Sequence, residues 1–440
     1  MEILFIYLDA IRGDLSNFKN SNIQESELEK FQKKVGGIYY TNAHTVAPNT
    51  YQSFATIRTG LSPKKNGCTL MNNVEFLNLN FELFNYLLEK GYNVYILTDP
   101  DLESKNTFKN KKLKLYYEFK NLIDDYNKDE NTKKTIFYYC LDYHELIAKE
   151  NTKFQENKAR NKIGKILFNS LGEMEEIFDK ILIFSDHGFT MRKEINADNL
   201  DYFSLDESKT NVILQLRNNK NQRNGLEKNN KLVSLLDIFP TVISWFENEE
   251  KYKLDGISLE KSYQKRTLYL EDGFMDATRY FSGMELEKVY KIAIIKENEK
   301  KILDIKNLFE LKDTSIFKEL TENLCHIYSS MQLYQAFYNF KNKPRILIDK
   351  NPNIVNDKEN IKRYITRGTY IEAQYYLDGS KIEKNDNYMK SCKEICIYEK
   401  KKEIKKLKLN IKKLIKESIV LLLIYLNIYE NIIKIKHPKH

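Results

Sequence analysis

The sequence predicts an α/β protein: a doubly wound, mostly parallel sheet flanked by helices, then a smaller antiparallel subdomain, then a helical tail. Three observations predict it. Apolar runs of strand length recur through the first half of the chain with helical patterns between them, and that alternation builds parallel sheets. The runs are continuously apolar, as suits strands covered on both faces. Past Leu268 the pattern changes to short β-like pieces such as Val289 to Ile295, which suit an antiparallel layer.

In chain order, Glu2 to Asp9 (EILFIYLD) is a buried strand that ends in a carboxylate. Leu79 to Lys90 reads as a helix, and Asn93 to Thr98, Thr135 to Leu141 and Lys180 to Ser185 read as further buried strands. The Asn- and Lys-rich stretch from Asn218 to Asn230 reads as a surface loop. Leu232 to Phe246 (LVSLLDIFPTVISWF) is apolar and helix-like, with Pro240 opening a second helix. These patterns divide the chain into a core over 1–260, an antiparallel subdomain over 261–340 and a charged, Lys-rich extension over 341–440. The extension ends in an expected helix from Ser418 to Lys436, whose uninterrupted apolar run is far shorter than the ~20 residues of a membrane span.

At 440 residues the chain can bury the core an enzyme needs, and 42% hydrophobic against 30% charged residues excludes disorder as the default. The formal charge of +9 suits anionic substrates or surfaces, although a solvated Lys-rich face accounts for it equally. Five scattered cysteines offer no paired framework, and no basic leader precedes the first strand, so a cytoplasmic protein is expected. The basic terminal helix is expected to meet a partner or a membrane surface, and no nucleic-acid partner is expected.

Three segments carry the chemistry. Asp9 closes the first strand at the sheet edge where α/β folds place ligands, although an Asp there also reads as a cap. In the segment from Asn42 to Gly60 (NAHTVAPNTYQSFATIRTG), Thr50 falls at the N-cap of a helix closed by Gly60. A hydroxyl there lies at the positive end of the helix dipole, which favours an alkoxide; simple capping is the other reading. In Phe184-Ser-Asp186-His187-Gly188 a carboxylate and an imidazole follow a buried strand directly, a plausible pair of ligands for a divalent ion or else a loop cap beside a packed His.

Taken together and in order, the Asp9 strand, the PNT-to-TG segment, SDHG, VSLLDIFPT and LDGISL (Leu254 to Leu259) resemble the alkaline phosphatase and sulfatase superfamily over roughly residues 1 to 310. The resemblance implies an alkaline phosphatase-like fold. It also implies one divalent ion (Zn, Mn or Ca) held by Asp9, Asp186, His187 and the nucleophile Thr50, with His144 facing the ester. Asn49, Arg12 and His44 are candidate substrate contacts, and Asp142 is a weaker candidate ligand. Sulfatases carry Cys or Ser at the nucleophile, then Pro two and Arg four residues on, where this chain has Thr50, Gln52 and Phe54. Formylglycine cannot be made from Thr by that route, so none is expected. A Thr nucleophile instead resembles the phosphoethanolamine and phosphoglycerol transferases. The expected substrate is an anionic ester, with glycans and lipid head groups among the candidates. A sulfuric ester hydrolase and a non-catalytic glycan- or anion-binding relative are the competing readings.

Overall fold

Ile3–Leu8 is apolar except for one phenol, and it forms β1 at the centre of the molecule with every residue buried. Such a strand cannot face water on either side, so the chain must bring paired strands to both of its edges and helices to both of its faces. The structure, a computed structural model, describes residues 1–66, 68, 81–99, 108, 110–143, 146, 155–189, 205–262, 265–271, 291–304, 320, 324, and positions 415, 418, 419, 422, 423 and 426.

The eight strands of the main sheet are β1, β2 (Gly37–Tyr40), β4 (Asn93–Leu97), β5 (Lys114–Tyr116), β6 (Lys134–Cys140), β7 (Lys180–Ser185), β8 (Leu214–Arg217) and β9 (Leu226–Asn229). Their order is β5-β4-β6-β1-β7-β8-β2-β9. β1 runs parallel to β6 on one side and β7 on the other, so Leu8 aligns with both Cys140 and Ser185. Only β8 is antiparallel to its neighbours. A two-residue strand β3 (Ala43–His44) pairs with β10 (Val233–Ser234). β11 (Thr267–Glu271), β12 (Lys291–Lys296) and β13 (Glu299–Asp304) form a separate three-stranded sheet, in which β11 and β12 are antiparallel. The expected sheet and the small antiparallel layer are both present.

Two apolar cores cover the two sheet faces. One gathers Phe5, Tyr7, Phe54, Phe137 and Phe184 under α2 (Thr50–Thr59), α3 (Leu83–Glu89) and α6 (Ile238–Ser244). The other packs Leu4, Ile6 and Leu8 against α1 (Glu27–Val35), α4 (Phe119–Lys128) and α5 (Glu156–Leu171). Helices α1 and α5 cross closely around a buried ion pair in which Arg160 Nε reaches Glu29 Oε1 at 3.1 Å.

Two expectations need correction. Asn218 to Asn230 is not only loop, since Leu226–Asn229 forms β9 beside β2. This strand lies at the sheet edge with its two central residues exposed, so it lacks the apolar signal of its neighbours. The second correction is that α6 begins at Ile238, which leaves Pro240 inside its first turn, where a missing N–H costs nothing.

Contacts divide the chain into one unit of residues 1–274, 292–302 and 323–325 and a second of the remainder. Most of the second unit, with most of the expected terminal helix and of the Lys-rich run before it, lies outside the described residues. Among the described residues no helix is long and apolar enough to cross a membrane.

The α1–α5 crossing makes a testable point. A Cβ on Gly164 would stand 2.1 Å from the carbonyl carbon of Glu27 and 2.2 Å from the amide nitrogen of Leu28, backbone atoms that cannot yield without moving α1. Gly164→Ala is expected to destabilise the protein by about 1–3 kcal/mol, read as a fall in the denaturant midpoint; an unchanged midpoint would refute the close approach.

Candidate active site

Because β1 and β7 are in parallel register, the residues that follow them, Asp9 and Asp186, emerge side by side at the C-terminal edge of the sheet. Asp186 is fully buried and well supplied with donors. Its Oδ1 accepts from the amides of Ala10 at 2.9 Å and His187 at 2.8 Å, and its Oδ2 accepts from the Tyr7 hydroxyl at 2.9 Å. The Ala10 amide faces Asp186 from a left-handed turn, φ 60°, which is costly for a residue with a Cβ and is held by that bond.

Asp9 is treated differently. Its Oδ2 accepts from the Tyr139 hydroxyl, while its Oδ1 is buried with no hydrogen-bond partner. Burial, and next the charge of Asp186, push its pKa up to about 7 against the opposing pull of His187 and the Tyr139 hydrogen bond. Asp99, just beyond β4, adds to the upward push.

His187 completes the cluster. Its Nδ1 lies 2.7 Å from the Gly188 carbonyl, which can only accept, so Nδ1 donates there and Nε2 is turned to the cluster. That Nε2 is 3.3 Å from Asp186 Oδ2 and 3.2 Å from Thr50 Oγ1. Ligands bonded to one ion at about 2.0–2.1 Å in a tetrahedral shell stand ~3.3–3.4 Å apart, close to both separations. One ligand atom from each of Asp9, Asp186 and His187 lies within 4.8 Å of the others. Two buried carboxylates, one of them with an orphaned oxygen, and an imidazole nitrogen are a donor set that fits a divalent cation.

Thr50 reaches the cluster from α2, though not as the cap. Asn49 is the N-cap, with extended backbone and its Oδ1 accepting from the Gln52 amide at 3.1 Å. Asn is the stronger cap of the two, so Thr50 becomes the first helical residue and its hydroxyl is left for His187. One turn on, the Ser53 hydroxyl donates to the Asp186 carbonyl at 2.9 Å, tying α2 to the end of β7. At its far end α2 closes on Gly60 at φ 63°, and the Gly60 carbonyl accepts from the amides of Asp255 and Gly256 at 2.9 and 3.1 Å. A Cβ on Gly256 would fall 1.9 Å from the Leu236 carbonyl oxygen, so only glycine admits this approach. VSLLDIFPT and LDGISL therefore brace the helix that carries Thr50.

Thus Asp9, Thr50, Asp186 and His187 are brought together. Asn49 is engaged in the first turn of α2. Arg12 forks onto Asp14 at 3.0 and 2.7 Å, its stem against Gly188. His44, on β3, has Nε2 2.9 Å from Asn42 Oδ1 and lies in the field of Glu207, Lys300 and Lys19. Burial drives its pKa down to about 3, so at neutral pH it offers no positive charge. Asp142 accepts from the Cys140 thiol at 3.6 Å, and His144 lies outside the described residues. Sequence reasoning missed Tyr7, Tyr139, Ser53 and Asp99. Only Asp99 carried a usable signal, a carboxylate just after a buried parallel strand, the same signal that singled out Asp9.

Residues 2–164 match the family model described as Sulfatase. No curated protein sequence matches the chain significantly. Among solved structures, a protein from Bacteroides thetaiotaomicron provisionally assigned as a sulfatase is 13% identical, with a TM-score of 0.51 over 78% of this chain and 92% of the other. A protein whose structure holds its substrate D-glucosamine-2-N,6-O-disulfate is 12% identical, with a TM-score of 0.50 over 78% and 98%. The phosphonate monoester hydrolase of Agrobacterium radiobacter is also 12% identical, with a TM-score of 0.46 over 73% and 93%. The fold is that of the alkaline phosphatase and sulfatase superfamily.

The raised pKa of Asp9 fixes a sign for stability in metal-free protein. A folded-state pKa of about 7 against an unfolded value of 3.8 means that the folded state holds the extra proton, so this contribution is most favourable below pH ~4 and is lost as pH rises to ~7. Asp9→Asn removes the penalty. With chelator present, its stability relative to wild type is expected to grow between pH 4 and 8, by up to about 4 kcal/mol at 1.36 kcal/mol per unit. Parallel stability curves for the two proteins would contradict the assignment.

Proposed function

We propose, from its place in the alkaline phosphatase and sulfatase superfamily, that this chain is a metal-dependent phosphoester hydrolase or phosphotransferase with Thr50 as nucleophile. The observation that carries the reading is the Thr50 hydroxyl, 3.2 Å from Nε2 of His187, whose ring is clustered with two buried carboxylates. Asp9, Asp186 and His187 would hold one divalent ion, which supplies the positive charge that makes the Thr50 hydroxyl acidic and neutralises the ester oxygens.

The protein's own groups do the positioning. Gly188 fixes the His187 tautomer, Asn49 caps α2 so that Thr50 sits in its first turn, and Ser53 locks that turn against Asp186. The positive end of α2 lies where an anionic ester must sit. Thr50 Oγ1 attacks phosphorus as the P–O bond to the leaving alcohol breaks, giving phosphothreonine. Water, or an acceptor hydroxyl, then attacks phosphorus and returns Thr50.

The Sulfatase family match favours a second reading, sulfuric ester hydrolysis through unmodified Thr50. A formylglycine hydrate releases sulfate by elimination through its second hydroxyl; threonine has none, so a sulfated Thr50 leaves only by slow direct attack. Phosphate esters, diesters foremost, are therefore expected to turn over at least about tenfold faster than matched sulfates, a barrier difference of ~1.4 kcal/mol. Rates on aryl phosphate, aryl phosphodiester and aryl sulfate decide between the readings, and equal or faster sulfate turnover restores the sulfatase.

Thr50→Ala is expected to abolish turnover while metal still binds, whereas Asp186→Ala or His187→Ala loses both. Turnover surviving in Thr50→Ala would sink the covalent route.

A further inference from the structure

The aromatic residues under the cluster end in hydroxyls, and both hydroxyls reach carboxylates. Tyr7 on β1 and Tyr139 on β6 are register partners, their rings 4.9 Å apart. Tyr7 donates to Asp186 Oδ2 and Tyr139 to Asp9 Oδ2. Both residues are buried, at 0% and 7% exposure, so each phenol stands in a fixed environment. Apolar packing alone does not call for them, because Phe5, Phe137 and Phe184 fill equivalent volume in the same cluster with no hydroxyl to satisfy.

We infer that Tyr7 and Tyr139 are positioning residues that aim the Asp186 and Asp9 carboxylates at one shared cation. Each phenol takes one oxygen. In Asp9 this leaves Oδ1 as the orphaned atom, in a residue that offers a ligand oxygen within 4.8 Å of ligand atoms of Asp186 and His187. Rotation of either carboxylate would break its phenol hydrogen bond inside an apolar stack, where no water replaces it. The nucleophile is tied to the same stack. Phe54, one turn after Thr50, lies nearly parallel to the Tyr7 ring, with centroids 5.8 Å apart and planes at 12°. A shift of Tyr7 therefore disturbs both the ligand and the helix that delivers Thr50.

This inference rests on the reading of Asp9, Asp186 and His187 as an ion site, and the experiment separates the two. Calorimetric titration of the chelator-treated full chain with Mn2+ and with Zn2+ is carried out on wild type, Tyr7→Phe, Tyr139→Phe and Asp9→Asn, with Mn2+ electron paramagnetic resonance reporting on the bound ion. Phe keeps the ring and its stacking, so both variants are expected to fold, with a lowered metal-free melting temperature because a buried carboxylate loses a donor. Each Phe variant is expected to bind metal 10–100-fold more weakly, the usual cost of losing an outer-shell hydrogen bond, with an altered Mn2+ spectrum. Wild-type affinity and spectrum in both Phe variants would overturn the positioning role while leaving the ion site intact. Failure of wild type itself to bind either metal overturns the ion site and this inference together. If one Phe variant does not fold, the other decides, because the two phenols serve different carboxylates.

Discussion

The arrangement depends above all on the Asp186 carboxylate. It collects the Ala10 amide from the turn after β1, the His187 amide from its own turn and the Tyr7 hydroxyl from within β1. These bonds fasten the ends of two parallel strands to one another, and the Asp186 carbonyl fastens α2, the helix that carries Thr50, through Ser53. A fully buried carboxylate without such donors would cost several kcal/mol. With them it becomes the fixed point about which Asp9, His187 and Thr50 are placed, and the strained Ala10 backbone shows how firmly the turn is held.

Distance in sequence matters little to this construction because the bracing is backbone-to-backbone. The far end of α2 is fixed by the Gly60 carbonyl meeting two amides from residues 255 and 256. Asp237 then ties the brace together, accepting from Ser234 N at 2.8 Å and Ile257 N at 2.9 Å and pairing with Arg266. The residues of the five motifs thus separate into two kinds. Asp9, Asp186, His187 and Thr50 converge, and Asp237, Asp255 and Gly256 hold the scaffold that lets them converge.

The sheet was legible because its central strands are buried on both faces and so read as continuous apolar runs; Lys180–Ser185 falls where its run ends. The four converging residues were legible because each stands just past a strand or at a helix start, where chain direction alone sends a side chain to the site. What was not legible depends on contacts across the sheet. Tyr7 and Tyr139 read as core residues in their runs, since nothing local says that their hydroxyls meet carboxylates. The polar edge strand β9 is recognisable only beside β2. His44, six residues before Thr50 in sequence, lies in the β3–β10 pairing with its ring beside Asn42, a contact that no local pattern announces.

Charge balance gives the cluster its chemical direction. The residues that most move the Asp9 pKa are Asp186, His187, Tyr139 and Asp99, and none of them is a lysine or arginine. Where the sulfatase pattern has an arginine four residues after the nucleophile, this chain has Phe54, stacked on Tyr7 and fully buried. The arginine at position 58 is committed instead to Glu82, at 2.8 Å, and to a cage formed by Phe54, Phe84 and Phe108. Carboxylates are therefore concentrated at one sheet edge, with phenols and an imidazole around them. A divalent ion would be a counter-charge in that setting, and Thr50, at the positive end of α2, is hydrogen-bonded to His187. Replacing a fixed guanidinium by a packed ring removes a charge that would otherwise share the load on the ester oxygens. On the proposed reading, charge stabilisation would rest on the ion and the helix end, and that is why the proposal favours a phosphoryl group over the less charged sulfuryl group.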